Sequence, residues 1–294
     1  MRQLARILAG AAVGTLVATT AMAQTIVVGG KDFTEQLLLS EITAQLLEAK
    51  GFEVDRRSGM GSQVVRDAQV NGQVDLYWEY TGTSLVTYNH VDERLDAEAT
   101  YERVKELDAA AGLTWLDPSA ANNTYALAVQ DESERTDGLE TLSDLAAAYR
   151  DGTGLVMAVN AEFPQRADGL IGLQEAYDFT TSRADRRPME SGLTYQALNE
   201  GQVDIALVFA TDGRIQAFDF RVLEDDRGFF PDYAIAPVVR SETLEANPGL
   251  AEPLNAMSAA IDDSVMQRLN AEVDVHRKSI EDVAAAFLSE SGLN

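Results

Sequence analysis

The stretch TIVVGGKDFTEQLLLSEITAQLLEAKGFEV, residues 25–54, indicates how this chain folds. Its apolar start at Ile26 predicts a short buried strand, and the glycine pair that begins at Gly29 predicts a turn. Thr34 is expected to cap a helix whose apolar residues recur at helical spacing, and Gly51 is expected to end that helix before a second strand. A strand, a helix and a strand in this order predict a parallel sheet covered by helices, which is the α/β class.

Two stretches further along the chain resemble each other. VVRDAQVNGQVDLYWEYTGT covers residues 64–83, and TYQALNEGQVDIALVFATDG covers residues 194–213. Each predicts a helix, a Gly-Gln-Val-Asp turn, an apolar strand and an exit that contains threonine. The shared turn is too short to prove a duplication, and chance reuse of turn residues stays an alternative. Two similar α/β lobes are the simplest account of the pattern.

Two short apolar segments are candidates for strands that carry the chain between the lobes. They are NNTYALAVQ, residues 122–130, and YAIAPVVR, residues 233–240. We therefore predict that the first lobe comprises residues 24–126 plus 234–294 and that the second lobe comprises residues 127–233. The part of the chain that follows Gly249 is predicted to form amphipathic helices.

The first residues have the three parts of a secretory signal peptide. Arg2 and Arg6 supply the positive charge, an apolar segment follows, and the sequence that ends at Ala23 is a small-x-small cleavage site. We predict that residues 1–23 are removed by a cut after Ala23. A secreted chain without cysteine fits a bacterial periplasm, and no later apolar run is long enough to span a membrane.

Composition and motifs argue against several functional classes. The formal net charge of −25 is unfavourable for binding nucleic acid or anionic lipid, which attract basic surfaces. The chain has no cysteine and two histidines, His90 and His276, which we interpret as surface residues. It has no zinc-protease, nucleophile-elbow or phosphate-loop motif, and its acidic pairs lack the spacing of a calcium loop. We therefore predict that the protein is not an enzyme and uses neither a metal nor another cofactor.

Aromatic residues stand at the predicted ends of strands. Tyr80 lies at the carboxyl end of the DLYWEY strand, which is where ligands bind in open α/β sheets. Tyr77 and Trp78, in the same strand, are more typical of core packing. The matching end of the second lobe and the starts of the two crossing strands are also aromatic: Phe209, Tyr125 and Tyr233.

Together these strand-end rings suggest an aromatic box between the two lobes. A quaternary ammonium keeps its charge and has no N–H to donate, so ring faces bind it, with about 0.5–2 kcal/mol per ring. A carboxylate on the same ligand needs hydrogen-bond donors, for which Lys31, Thr83 and Arg166 are candidates. Lys31 also lies near a predicted helix N-terminus, which favours an anion.

Several motifs closely resemble the substrate-binding proteins of osmoprotectant ABC importers, which bind glycine betaine, choline and carnitine. The motifs are GGKDFTEQLLLSEI, DLYWEYTGT, NNTYALAV, VFATDGRI and VLEDDRGFFPDYAIAPVVR, and the resemblance runs in order from about Ile26 to the C-terminus. It implies a two-lobed periplasmic binding protein of the Venus-flytrap, type II-like form, with the ligand cleft between the lobes. It also implies a partner, an ABC permease in the inner membrane with a separate ATPase, and a monomeric protein.

The resemblance assigns roles to single residues. By motif, the rings that hold the trimethylammonium correspond to Tyr80, Tyr125, Phe209 and Tyr233. The groups that bind the carboxylate correspond to Lys31, Thr83 and Arg166. A polar residue near the carboxylate corresponds to Asn123. Phe209 departs from the pattern, because a tyrosine is common at that position. Phenylalanine keeps the ring face and loses the hydroxyl, so we expect cation–π binding that is modestly weaker.

Glycine betaine is the expected ligand, and three alternatives stay open. The first is choline, carnitine or another betaine-like zwitterion, such as a thiol-containing one. The second is a secreted enzyme on a two-lobed scaffold, although the sequence has no convincing pair of base and nucleophile. The third is a sensor domain that acts through a partner protein.

Overall fold

The computed structural model describes residues 25–293. The predicted signal peptide, residues 1–23, lies outside this range. Among residues 25–293, no helix has both the length and the apolar character that crossing a bilayer requires.

The chain forms two α/β units, which we call the first and second lobes. The first lobe begins with β1 Ile26–Lys31, α1 Thr34–Ala49, β2 Val54–Met60, α2 Ser62–Val70, β3 Leu76–Tyr80, a π-helix Thr83–Tyr88, α3 Ala97–Ala109 and β4 Leu113–Trp115. The second lobe contains β5 Tyr125–Gln130, α4 Leu142–Arg150, β6 Met157–Val159, a 3-10 helix Phe163–Gln165, α5 Leu170–Tyr177, a 3-10 helix Arg183–Asp185, β7 Arg186–Pro188, α6 Ser191–Asn199, β8 Ile205–Phe209, α7 Arg214–Ala217 and β9 Phe220–Val222. The chain then returns to the first lobe with β10 Ile235–Arg240, α8 Ser241–Ala246, α9 Ala251–Ala259, α10 Asp263–Asp274 and α11 Ile280–Glu290.

Each lobe is built on one five-stranded sheet, which confirms the α/β class. The sheet of the first lobe has the order β2-β1-β3-β10-β4, and the sheet of the second has the order β7-β6-β8-β5-β9. Within them β1 pairs in parallel with β2 and β3, and β6 pairs in parallel with β7 and β8. The expectation of wholly parallel sheets is wrong for β5 and β10, which pair antiparallel with their neighbours. These two strands enter from the other lobe and therefore run against the rest.

The turn predicted at Gly29 is wrong, because Gly29 and Gly30 are part of β1. The helix α1 begins where the sequence predicts it, but its cap differs. Phe33, and not Thr34, is the N-cap residue, and no side chain there caps the helix. The Thr34 hydroxyl instead donates a 2.9 Å hydrogen bond to Asp274 of α10. The inner face of α1 is fully buried at Leu38 and Ile42, which belong to the large hydrophobic core.

The two Gly-Gln-Val-Asp turns have the same structure in both lobes. Gly72 and Gly201 adopt φ values of 75° and 67°, which favour glycine. The Asp75 carboxylate accepts a 2.8 Å bond from the Val27 backbone, and the Asp204 carboxylate accepts a 2.8 Å bond from the backbone of Val156. Each aspartate thus ties the start of its own strand, β3 or β8, to the neighbouring parallel strand. The two stretches are therefore similar in structure as well as in sequence.

The two segments that connect the lobes lie side by side. Asn122 and Ala234 form an isolated antiparallel bridge, and Tyr233 N–H donates to the Asn122 side chain at 2.9 Å. Tyr125 already pairs with Phe209 in the sheet of the second lobe. The chain therefore passes from one sheet to the other between residues 122 and 125 and returns between residues 233 and 235. The lobe bounds at residues 126 and 234 stay a prediction, because they concern which residues move together.

Candidate ligand site between the lobes

A cavity of about 730 Å³ lies between the two lobes. All of the residues that the sequence predicts for the site line it: Lys31, Tyr80, Thr83, Asn123, Tyr125, Arg166, Phe209 and Tyr233. By contrast, Tyr77 and Trp78 are not among the residues that line this cavity, and they are 0% and 1% exposed, which confirms that they are core residues. The structure therefore brings together side chains from both lobes and from both connecting segments.

Strand pairing explains why the predicted rings meet. Tyr80 ends β3 and Phe209 ends β8, each at the same distance along the chain from the aspartate of its Gly-Gln-Val-Asp turn. Tyr125 pairs directly with Phe209, and Ile235, two residues after Tyr233, pairs with Tyr80. These strand pairings thus place each ring at the edge of its sheet that faces the cleft.

The rings form a continuous cluster. The ring centroid of Tyr125 lies 5.5 Å from that of Phe209 and 5.7 Å from that of Tyr233, the latter pair in an edge-to-face arrangement. Tyr125 also packs edge-on against buried Phe163 at 5.2 Å. Such contacts fix ring orientation and leave the remaining ring faces available to the cavity.

Phe33 is a further ring that sequence reasoning missed. It stacks on Phe209 from the opposite lobe with centroids 5.2 Å apart and planes 7° apart, and it lies 6.2 Å from Tyr80. Phe33 stands two residues after Lys31, in the turn that leads into α1, and it lines the cavity. Its place in the KDFTEQ motif, beside the predicted anion-binding lysine, is the signal that could have identified it.

Arg166 is buried in a network of oxygen atoms. Its Nε donates to Asp168 Oδ1 at 2.7 Å, its Nη2 donates to Asp168 Oδ2, and Nη2 also donates to Thr83 Oγ1 of the other lobe at 3.1 Å. Tyr233 donates to the same Asp168 carboxylate at 2.8 Å. Nη1 lies 3.6 Å from the Glu162 carboxylate. The guanidinium is thereby fixed in one orientation beneath the ring of Tyr125, whose centroid lies 5.3 Å away.

Lys31 is also paired inside the protein. Its Nζ lies 2.5 Å from Glu79 Oε1, and the side chain is 3% exposed. Burial lowers the pKa of Lys31, and the attraction of Glu79 opposes that effect. The hydroxyls of Tyr77 and Tyr88 donate to the other oxygen of Glu79, at 2.7 and 3.2 Å. The lysine is thus held at the cavity wall 4.7 Å from the centroid of Tyr80.

Glu35 is a buried carboxylate that the sequence did not single out. It accepts hydrogen bonds from Tyr80 at 2.8 Å, from Asn123 at 2.7 Å and from Asn270 at 3.2 Å, and a further one from Thr211. Burial raises its pKa, although these donors lower it in part. The carboxylate joins a box tyrosine and a connecting segment to the second lobe and to α10. Asn123, which the sequence predicts near a ligand carboxylate, therefore donates a hydrogen bond from its side-chain amide to Glu35.

Acidic side chains also line the cavity. Asp32 of the first lobe and Glu162 and Glu190 of the second lobe line it, in addition to the two paired cations. The pKa of Asp32 is raised, first by burial and then by repulsion from Glu162 and Glu190. Among residues 25–293, no group of three or more histidine or acidic side chains has an arrangement that could hold a metal ion.

Comparison with known proteins relates nearly the whole chain to solute-binding proteins. A family model described as the substrate binding domain of ABC-type glycine betaine transport systems matches residues 24–290. A glycine-betaine-binding protein of Pseudomonas aeruginosa is 45% identical over 299 residues, which cover 100% of this chain and 96% of that protein. The glycine betaine-binding protein YehZ of Escherichia coli is 33% identical, with 92% of each chain covered. A crystal structure described as a glycine betaine/carnitine/choline ABC transporter has a TM-score of 0.72 at 31% identity, with 91% of this chain and 99% of that chain covered.

Proposed function

The chain belongs to the family of substrate-binding domains of ABC-type glycine betaine transport systems, and from that premise we propose that its cleft binds a quaternary ammonium solute, with glycine betaine as the first candidate. The protein is the solute-binding component of an ABC import system for betaine-like compounds. One observation supports the choice of ligand above all others. Aromatic rings from both lobes line the same cavity as one arginine and one lysine.

The rings suit the cationic end of such a ligand. Quaternary ammonium groups cannot donate hydrogen bonds, and they are attracted to the negative faces of aromatic rings. The proposed box consists of Tyr80, Tyr125, Phe209 and Tyr233, with Phe33 as an additional wall. The acidic side chains that line the cavity add an electrostatic attraction for a cation.

Arg166, Lys31 and Thr83 suit the carboxylate end. Within residues 25–293, the contact of Arg166 Nη1 is the 3.6 Å ion pair with Glu162, and Lys31 has two ammonium protons beyond the one directed at Glu79. Both cations are held in place by protein carboxylates, so a ligand carboxylate meets donors that are already oriented. Asn123 lines the same cavity, and its bond goes to Glu35, which also accepts from the ring residue Tyr80.

Transport then follows from lobe closure. The open lobes admit the solute, ligand contacts from both lobes favour the closed form, and the closed form docks on a membrane permease whose separate ATPase supplies the energy. We propose that the protein acts in the periplasm after a cut behind Ala23, that it is a monomer, and that it performs no chemical step on its ligand.

Another quaternary ammonium compound is the second candidate. The structural relative with a TM-score of 0.72 is described by glycine betaine, carnitine and choline together, so its description does not single out one of the three ligands. Choline has no carboxylate and would leave Arg166 and Lys31 without a ligand partner. A larger betaine-like zwitterion would use more of the 730 Å³ cavity.

Calorimetric titration of residues 24–294 tests the proposal. We expect micromolar binding of glycine betaine, about −8 kcal/mol, and no heat of binding with glycine, which lacks the methyl groups. Choline and carnitine serve as comparators. Binding of choline alone would retain the aromatic box and remove the carboxylate role of Arg166. Absence of binding to glycine betaine, choline and carnitine would contradict the proposed ligand class.

A further inference from the structure

The carboxylate of Glu162 makes contacts across the cleft but is not part of the aromatic box. Glu162 lies in the second lobe, immediately before the 3-10 helix Phe163–Gln165, and Ser62 is the first residue of α2 in the first lobe. Ser62 N–H donates to Glu162 Oε1 at 2.9 Å, and Ser62 Oγ donates to Oε2 at 2.8 Å. Both oxygens of one carboxylate are thus engaged by a single residue of the opposite lobe.

The helix α2 depends on this contact for its cap. Its N-cap residue is Gly61, which has no side chain, so the first turn receives no cap from its own lobe. A carboxylate at a helix N-terminus satisfies a free N–H group and is favoured by the helix dipole. Burial raises the pKa of Glu162, but the two bonds from Ser62 and the positive charges of Lys31 and Arg166 together leave that pKa lowered. The carboxylate is therefore well suited to this position in its charged form.

The equivalent helix of the second lobe has a different arrangement. Ser191 begins α6 as Ser62 begins α2, and the serine hydroxyl there contacts Asn160 of the same lobe at 3.2 Å. Helix α2 is the member of this pair that is capped from across the cleft.

We propose that Glu162 and Ser62 form a closure latch, which fastens the lobes around the bound ligand and slows its release. The inference rests on the proposed solute-binding function. Glu162 and Ser62 both line the cavity, and separation of the lobes must break both bonds, because they join residues of different lobes. Glu162 also lies 3.6 Å from Arg166 Nη1, and Arg166 bonds Thr83 of the first lobe. The latch is therefore connected to the proposed carboxylate clamp.

Release kinetics of Glu162→Gln, Ser62→Ala and the double variant provide the main test. We expect Glu162→Gln to release glycine betaine about tenfold faster, because it loses a charged hydrogen-bond acceptor. Ser62→Ala should have a smaller effect, since its backbone N–H still reaches the carboxylate. The double variant should be no faster than Glu162→Gln. Additive effects of the two substitutions would overturn the latch, because they would show that the residues act separately.

A second comparison separates the length of the side chain at position 162 from its charge. Glu162→Asp keeps a negative charge near Arg166 but is one methylene too short to span the cleft, so it should release ligand as Glu162→Gln does. Release as slow as in the wild type would show that the charge alone matters and would contradict the proposal. Glu175→Gln, an exposed carboxylate on α5 of the same lobe, is the matched control for loss of charge and should leave release unchanged.

Interlobe distance tests the latch independently of the ligand assignment. The chain has no cysteine, so Val70→Cys and Asn199→Cys, on α2 and α6, provide a labelled pair for distance measurement. Glu162→Gln should lengthen the mean distance between the labels, and an unchanged distance would overturn the latch. If the wild type bound none of the solutes tested, the proposed function would fail, while this distance would still decide the latch.

Discussion

At the scale of single residues, Tyr80 combines two tasks. Its ring lines the cavity, while its hydroxyl donates to buried Glu35 at 2.8 Å and accepts from Gln36 at 2.9 Å. The ring belongs to the proposed ligand box, and the hydroxyl belongs to the support behind it. Substitutions can separate the two tasks, because phenylalanine removes one and alanine removes both.

Tyr80→Ala should weaken glycine betaine binding by about 1 kcal/mol or more, because a ring face is lost. Tyr80→Phe should retain most of the affinity and instead lower the free energy of unfolding by about 1–3 kcal/mol, because Glu35 loses a donor. Calorimetric titration and urea denaturation measure the two effects. Equal loss of affinity in both variants would show that the hydroxyl, and not the ring, is the main contribution.

Arg166→Ala should change the ligand preference of the protein. We expect glycine betaine affinity to fall about tenfold or more relative to choline affinity, because only glycine betaine has a carboxylate. The ratio of the two dissociation constants is the measurement, since any general damage from leaving Asp168 unpaired affects both ligands. An unchanged ratio would remove Arg166 from the proposed carboxylate clamp.

Glu35 should make stability depend on pH with an unusual sign. Burial raises its pKa, so the folded state holds a proton more readily than the unfolded state. The contribution of Glu35 to the free energy of unfolding is therefore present at low pH and is lost as the pH rises through the raised pKa. The stability of the wild type minus that of Glu35→Gln should fall as the pH rises above the ordinary glutamate pKa of about 4.3. Urea denaturation of both proteins over a range of pH measures this difference, and a rise with pH would contradict the raised pKa of Glu35.

At the scale of elements, the repeated Gly-Gln-Val-Asp turn is what aligns the two halves of the site. Each turn ties a central strand to its parallel neighbour, and each strand ends in a ring that faces the cleft. The two copies differ in their surroundings. Asp75 is buried and also accepts from Thr243 at 2.9 Å, whereas the further partner of Asp204 is Arg135, an exposed side chain.

Asp75→Ala should therefore cost more stability than Asp204→Ala. Each substitution leaves a strand N–H without its acceptor, at about 1–3 kcal/mol, and Asp75→Ala also leaves a buried threonine hydroxyl unpaired. Urea denaturation midpoints of the two variants give the comparison, with Asp67→Ala on the exposed face of α2 as the control. A larger loss for Asp204→Ala would show that burial does not govern these turns.

The sequence predicted those parts of the site that local patterns encode. Tyr80 and Phe209 follow from strand ends, and Lys31 follows from its place just before a helix, so their convergence could be anticipated, although Gly29 and Gly30 belong to β1 and do not form the predicted turn. Contacts between distant residues could not. Glu35 meets Thr211 across 176 positions of the chain, and Glu162 meets Ser62 across 100, and no local pattern specifies either pairing. Likewise the antiparallel direction of β5 and β10 depends on how the chain crosses between lobes.

At the scale of the whole molecule, the connecting segments allow the lobes to move as units. Within residues 25–293, two short segments near 122–125 and 233–235 join the two sheets, and they lie side by side. Other contacts between the lobes, such as that of Arg166 with Thr83, are made by side chains and can separate without disturbing either sheet. This arrangement is typical of hinge motion.

Glycine betaine should make the protein both smaller and more stable. Closure lowers the radius of gyration, and a ligand at 100 times its dissociation constant adds about 2.7 kcal/mol to the free energy of unfolding. Small-angle X-ray scattering and thermal denaturation, each with and without ligand, measure the two quantities. Glycine provides the control. Stabilisation without a decrease in radius would show that binding does not move the lobes.

The central position of β10 also sets the order in which newly made protein can fold. In the first sheet β10 lies between β3 and β4, yet it is synthesised after the entire second lobe. The second lobe is one continuous segment and can fold as soon as that whole segment has reached the compartment in which the protein folds. The first lobe must wait with the edge of β3 unpaired until the last strand arrives. The half of the protein that is translated first is therefore the half that is completed last.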